Sequence, residues 1–164
     1  MKRLAAALLP LFLVACATTE SNQVEEASVP RIAPAALQLE AMDGGSVDLN
    51  EVLASGRSVA FVFWQTWCGS CLSEAPHVGA AARELAGEVQ FVGVIPGPSE
   101  RVDDEKARAI AAEKRMEFPH VRDRRMVLSK AFEVSGTPTI VVLRPDGTLG
   151  YRGRGLPATN AELR

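Results

Sequence analysis

Cys68 and Cys71 are the residues of this chain with the clearest chemical use, and they stand in the run Trp67-Cys68-Gly69-Ser70-Cys71. Two cysteines at i and i+3 on a helical turn bring their Cβ atoms close enough to bridge. A thiol at the start of a helix faces unpaired N–H groups and the positive end of the helix dipole, which favour its thiolate. On that footing Cys68, expected to be exposed at the sheet edge, attacks another protein's disulfide. Cys71, tucked one turn in, resolves the mixed disulfide. The competing use of such a pair is half a zinc site, which needs two further ligands. His77 and His120 are the remaining candidates, and neither has ligand spacing with a partner. The expectation is therefore no metal, and no cofactor other than the redox-active Cys68–Cys71 disulfide. His77 reads as an exposed helix residue and His120 as a strand or loop residue.

The surrounding pattern supplies elements to position the pair. Ser58 to Trp64 is an unbroken apolar run, as expected for a strand covered on both faces. It leads directly to the cysteines. A helix follows from Ser70 to Ala86, with Leu72, Ala75, Gly79, Ala82 and Ala86 as its inward face and Pro76 inside it as a source of a kink. Before the strand, Leu37 and Leu39, then Asp43-Gly44-Gly45, then Val47 and Leu49 form a hairpin signal. After the helix come a strand at Val89 to Ile95 and an amphipathic helix at Asp103 to Arg115 with Ala107, Ile110 and Ala111 inward. A short helix at Met126 to Phe132 and strands at Thr139 to Leu143 and Thr148 to Arg152 complete the order. The result is β-β-β-α-β-α-α-β-β, an α/β architecture with a central mixed sheet flanked by helices and an N-terminal hairpin extension. Residues 158–164 have room only for the start of a closing helix, which leaves open an uncovered apolar strip.

Length and charge bound the partners. The 164 residues suffice for one domain, and 47% hydrophobic with 23% charged residues is ordinary globular usage. The formal charge of −2 argues against nucleic acid, and the local run Arg122, Arg124, Arg125, Lys130 reads as a solvated face. The three cysteines, Cys16, Cys68 and Cys71, cannot build a disulfide framework. Met1-Lys2-Arg3 is a short basic start, and Leu4 to Val14 is an apolar run too short to span a bilayer. Leu13-Val14-Ala15-Cys16 resembles the lipobox of bacterial lipoproteins. That resemblance implies a signal peptide over 1–15, lipid on Cys16 and anchoring through acyl chains. Residues 16–35 then read as a flexible tether of roughly 25 Å, ahead of a folded domain over 36–164.

The run Phe61-Val62-Phe63-Trp64-Gln65-Thr66-Trp67-Cys68-Gly69-Ser70-Cys71, the following Leu72-Ser73-Glu74-Ala75-Pro76, and Ser135-Gly136-Thr137-Pro138-Thr139 ahead of Arg144-Pro145-Asp146-Gly147 resemble the thioredoxin superfamily. More narrowly they are similar to its TlpA/ResA branch, which is related to the redoxin group. The resemblance spans about residues 35–157. It implies a thioredoxin-like fold, a cis bond before Pro138, and substrate binding at Trp67, Thr137 and Pro138, with the backbone of Thr137 pairing to a substrate strand beside Cys68. Thioredoxin's buried acid, six residues before its first cysteine, is replaced by Val62. Glu74 matches a glutamate that the TlpA/ResA branch places near its cysteines, which implies acid/base tuning of the pair.

The expectation for activity is thiol-disulfide exchange with exported proteins in the bacterial envelope, facing the periplasm, with a membrane-bound redox donor or acceptor. The resemblance tilts toward reduction, with cytochrome c maturation as one setting. Gly69-Ser70 and Thr137 leave the direction open. Two alternatives stand beside it. A thiol peroxidase of the redoxin group wants a Pro-x-x-x-Thr-x-x-Cys run, and residue 61, seven before Cys68 where that proline would stand, is Phe. A copper-binding metallochaperone typically separates its cysteines by three residues plus a distant histidine.

Overall fold

The structure, a computed structural model, describes residues 38–98 and 103–164. The chain begins there as a hairpin of β1 (Gln38–Glu40) and β2 (Ser46–Asp48), paired antiparallel with Leu39 opposite Val47. Asp48 ends β2 and caps α1 (Leu49–Ala54), its Oδ1 accepting from the N–H groups of Asn50 at 2.9 Å and Glu51 at 3.2 Å. The pattern reading above contains no helix at this position. Buried β3 (Ser58–Phe63) follows, then α2 (Gly69–Glu84), β4 (Val89–Pro96), α3 (Asp104–Glu113) and the short β5 (His120–Asp123). The chain closes with α4 (Val127–Ala131), the hairpin of β6 (Thr139–Leu143) and β7 (Leu149–Gly153), and a 3-10 turn at Asn160–Glu162.

The five longer strands form one mixed sheet in the order β5-β4-β3-β6-β7. β3 is the central strand, parallel to β4 and antiparallel to β6. All six of its residues are buried because both faces are covered. Val59, Phe61 and Phe63 pack with Leu39, Val47, Leu49, Val52, Leu128 and Phe132 from the hairpin, α1 and α4. Ala60 and Val62 on the other face pack with Val78 and Ala81 of α2, with Leu85 at its C-cap and with Leu163. A third cluster joins Trp64, Cys68, Cys71 and Ala75 to Ile95, Ala107, Ala111 and Met116, so α2 and α3 enclose the end of β3.

The mixed sheet, flanking helices and N-terminal hairpin agree with the sequence-based expectation. Besides α1, four details differ. The buried face of α2 runs through Cys71, Ala75, Val78, Gly79 and Ala81, rotated from the expected stripe, and Ala86 is exposed. The rotation follows from Cys71 having to face the core, which carries Val78 inward with it. β5 is a strand in its own right, added parallel to β4 at the hairpin side. Arg122 is not part of a solvated face: its side chain is 4% exposed and pairs with Asp104 at the start of α3, which also pairs with Arg124. Finally, Leu163 is 1% exposed and fills the core beside α2, while Ser58 Oγ donates to the carbonyl of Arg164 at 2.8 Å. The end of the described chain thus packs on the apolar surface that the sequence left open as an uncovered strip. Among the described residues no helix is long and apolar enough to cross a membrane.

Candidate active site

β3 delivers the chain at the carboxyl end of the sheet, where Trp64 N–H still bonds the carbonyl of Val94 at 3.0 Å. Gln65 then ties the turn to the neighbouring strand through Nε2 to the carbonyl of Pro96 at 2.7 Å. Cys68 is the N-cap of α2. Its sulfur accepts the Cys71 N–H at 3.2 Å and lies 3.6 Å from the hydroxyl of Ser70. Cys68 and Cys71 are joined as a disulfide, with Cα atoms 5.2 Å apart. A sulfur in the N-cap place receives the donors that a thiolate there would use.

Exposure does not separate the two cysteines. Cys68 is 7% exposed and Cys71 4%, and β3 is central, so the expectation of an exposed Cys68 at a sheet edge is corrected. Both sulfurs pack into the cluster of Trp64, Ala75 and Ile95. What distinguishes Cys68 is its capping position, since its sulfur receives the Cys71 N–H and lies beside the Ser70 hydroxyl. The exposed group here is Trp67, 71% exposed immediately before Cys68.

The second half of the site comes from the loop into β6. Thr139 is the register partner of Phe63, so Gly136, Thr137 and Pro138 lie at the same end of the sheet as the cysteines. The Thr137–Pro138 bond is cis, as the resemblance implies, and Pro138 is buried. Thr139 Oγ1 bonds the Gly136 carbonyl at 2.7 Å and tightens the turn.

Residues 29–152 match the AhpC/TSA family, well over half of the chain. The chain belongs to the AhpC/TSA family. Within it, this member is 27% identical to the thiol-disulfide oxidoreductase ResA of Bacillus subtilis over 110 residues, 66% of this chain and 58% of that relative's length. The chain therefore spans less than two thirds of that curated relative. It is 27% identical to the soluble secreted antigen MPT53 of Mycobacterium tuberculosis over 124 residues, 74% of this chain and 69% of the relative. The solved structure of the M. tuberculosis protein dsbF, in mixed oxidised and reduced forms, superposes with a TM-score of 0.64 at 25% identity, covering 80% of this chain and 94% of that one. The thioredoxin-like fold and the TlpA/ResA-like relationship follow from these matches.

The remaining expected site residues are placed as follows in this AhpC/TSA member. Glu74 lies one turn beyond Cys71 and is half-buried, its Oε1 accepting the Leu156 N–H at 2.7 Å. A Cβ on Gly155 would come within 2.5 Å of that oxygen, so glycine lets the carboxylate close on the backbone. Val62, in the position of thioredoxin's acid, is 4% exposed within the apolar cluster under α2. His77 is exposed on α2, and His120 is 8% exposed beneath the Trp64 side chain. Cys16, the signal peptide over 1–15 and the tether over 16–35 all lie outside the described residues. Two contributors were not singled out by the sequence. Ser70 beside the Cys68 sulfur was legible in principle, because any residue between the cysteines sits in the first helical turn. Arg154, whose Nη2 donates to the Thr137 carbonyl at 3.1 Å, carries no local motif at all.

Proposed function

We propose that this chain is a thiol-disulfide oxidoreductase that exchanges disulfides with exported proteins, working as a reductase. The observation that carries the reading is the cysteine pair at the N-terminus of α2, with the Cys71 N–H on the Cys68 sulfur and the Pro138 loop at the same end of the sheet. The names of the ResA relative and of the secreted relative support the reaction class and the export side.

In the reducing direction the Cys68 thiolate attacks one sulfur of a substrate disulfide. The substrate S–S bond breaks, a mixed disulfide forms on Cys68, and the first substrate thiolate leaves and takes up a proton. Cys71 then loses its proton and attacks the Cys68 sulfur. The second substrate thiolate departs, and the Cys68–Cys71 bond is restored. Two electrons pass to the substrate, and a membrane-bound dithiol donor has to return them. The backbone of Thr137 holds the substrate segment as an added strand, and Trp67 offers it an apolar surface. Glu74 tunes proton transfer at the pair, in place of an acid at Val62. Lipid on Cys16 and the tether would hold the domain near the envelope membrane, and haem-attachment cysteines of cytochrome c maturation fit as substrates of this chemistry.

The test is trapping. Cys71→Ser removes the release step, so it should accumulate mixed disulfides through Cys68 with export-side proteins, seen by non-reducing electrophoresis and identified by mass spectrometry. Cys68→Ser should trap little. Adducts on Cys68→Ser instead would reverse the two roles, and adducts on neither variant would overturn the oxidoreductase reading.

A further inference from the structure

The segment leaving β7 joins the two halves of the site. Gly153 is the register partner of Ile140, so the chain after it emerges beside the start of β6 and the Pro138 loop. Arg154 then donates from Nη2 to the Thr137 carbonyl at 3.1 Å. Two residues on, the Leu156 N–H donates to Glu74 on the helix that carries the cysteines. The Tyr151 hydroxyl closes the curve by donating to the Gly155 carbonyl at 2.9 Å. Three consecutive residues, 154–156, therefore bridge the substrate-side loop and α2.

Arg154 is also an uncommitted charge. Arg152 pairs with Glu133, Arg164 with Glu88, and Arg122 and Arg124 with Asp104. The ion pairs among the described residues include none for Arg154, which is exposed. One of its N–H groups is used on Thr137, and a guanidinium has five. The carboxylate of the same region, Glu74, is half-buried and accepts from the backbone at Leu156, and the ion pairs among the described residues include none between it and Arg154. A planar fork of donors at the edge of a peptide-pairing loop matches the geometry of a carboxylate.

We infer that Arg154 is a specificity-determining residue that selects substrate segments carrying an acidic side chain close to the target cysteine. This rests on the oxidoreductase reading and adds the chemistry of the substrate to it. Arg154 is fixed on the carbonyl of Thr137, the residue whose backbone aligns the incoming strand, so its free donors lie where a side chain flanking the substrate cysteine would pass. With Trp67 supplying the apolar wall, the preferred segment is extended, with a carboxylate beside the disulfide.

The experiment uses the full chain in reduced form and two disulfide-bonded peptides that differ only in flanking residues, aspartate in one and lysine in the other. At low salt the wild-type protein should exchange with the acidic peptide about three- to fivefold faster in kcat/KM, the size of an exposed charge pair, expressed mainly in KM. The preference should shrink as salt rises. Arg154→Ala should bring the ratio of the two peptides to about one, Arg154→Glu should invert it, and Arg154→Lys should restore part of it. Arg152→Ala, two residues earlier on β7 but paired with Glu133, serves as the control and should keep the wild-type ratio. Equal rates on the two peptides with wild-type protein would overturn the inference. So would an unchanged ratio in Arg154→Ala, or a loss there that strikes both peptides alike through kcat. The wild-type protein is also assayed on a small neutral disulfide. Failure on that substrate would instead remove the oxidoreductase reading itself.

Discussion

His120 stacks face to face on Phe118, with ring centroids 5.0 Å apart and planes 5° from parallel, and meets Trp64 edge-on at 5.6 Å. Its Nδ1 lies 2.7 Å from the Phe118 carbonyl, so the neutral ring donates from Nδ1 and holds its lone pair at buried Nε2. The ring lies flat over β4, where a Cβ on Gly93 would stand 2.5 Å from it, so only glycine admits it there. Burial pushes the imidazole below its ordinary value, partly opposed by the Phe118 carbonyl and the Asp43 carboxylate. The unfolded chain therefore binds a proton near pH 6.5 that the folded chain refuses until lower pH. Stability attached to this residue is present above about pH 6.5 and is lost as pH falls through the lowered folded value. Denaturant titrations across that range should show the wild-type midpoint falling on acidification and His120→Gln falling less. Parallel pH profiles for the two proteins would exclude His120 as the source. Nothing in the sequence around Phe118-Pro119-His120 separates a buried ring from a loop residue, because the deciding partners, Trp64 just past β3 and Gly93 in β4, are distant in the chain.

The elements that position the cysteines were legible because their patterns are strong. β3 reads as six consecutive buried residues, and the Cys-x-x-Cys run between a strand and a helix fixes the site to the strand's carboxyl end. The elements that escaped are short. α1 carries its own signal, Asp48-Leu49-Asn50-Glu51, an acidic cap followed by a first-turn glutamate, hidden by the hairpin alternation that runs into it. β5 has only four residues, two of them charged, and is a strand because it pairs with β4 while Arg122 finds Asp104 at the start of α3. The same short strand ends in Asp123, which makes α4 possible. Met126 before that helix has a left-handed backbone, φ 57°, and no side-chain cap bond. Asp123 supplies the missing acceptor instead, taking the N–H groups of Val127 at 2.7 Å and Ser129 at 2.8 Å and the Ser129 hydroxyl at 2.8 Å. Phe132, just after α4, packs at 5.0 Å on Phe61. Asp123→Ala leaves buried donors unpaired and should destabilise the protein by about 2 kcal/mol in urea titration. Asp146→Ala, in an exposed turn where Asp146 accepts from Thr148, should leave the urea midpoint nearly unchanged. Equal losses in the two variants would mean that Asp123 is no more than a surface cap.

For the molecule as a whole, the direction of exchange is a question of which redox state the fold prefers. Folding and disulfide reduction form a cycle, so whatever stabilises the folded dithiol over the folded disulfide raises the reduction potential. Two features favour the dithiol: the Cys71 N–H at 3.2 Å and the Ser70 hydroxyl at 3.6 Å would both bond a Cys68 thiolate. Burial opposes them. Cys68 and Cys71 are 7% and 4% exposed in an apolar cluster, and a thiolate there loses hydration that the neutral disulfide never had. Val62 places no titrating group beneath the pair to exchange protons with it. Two hydrogen bonds from neutral donors are the weaker side of this balance against burial in an apolar cluster, so the fold should favour the disulfide and the protein should act as a reductant. The expected potential is near that of thioredoxin, about −270 mV, and the disulfide form should melt above the dithiol form. A strong oxidant at about −120 mV would differ by about 7 kcal/mol, far more than one hydrogen bond supplies. Equilibration with a glutathione or dithiothreitol buffer gives the potential, and paired melting curves give the stability difference. A potential near about −120 mV together with a more stable dithiol form would turn the proposed reductase into an oxidant while leaving the exchange chemistry of Cys68 and Cys71 in place.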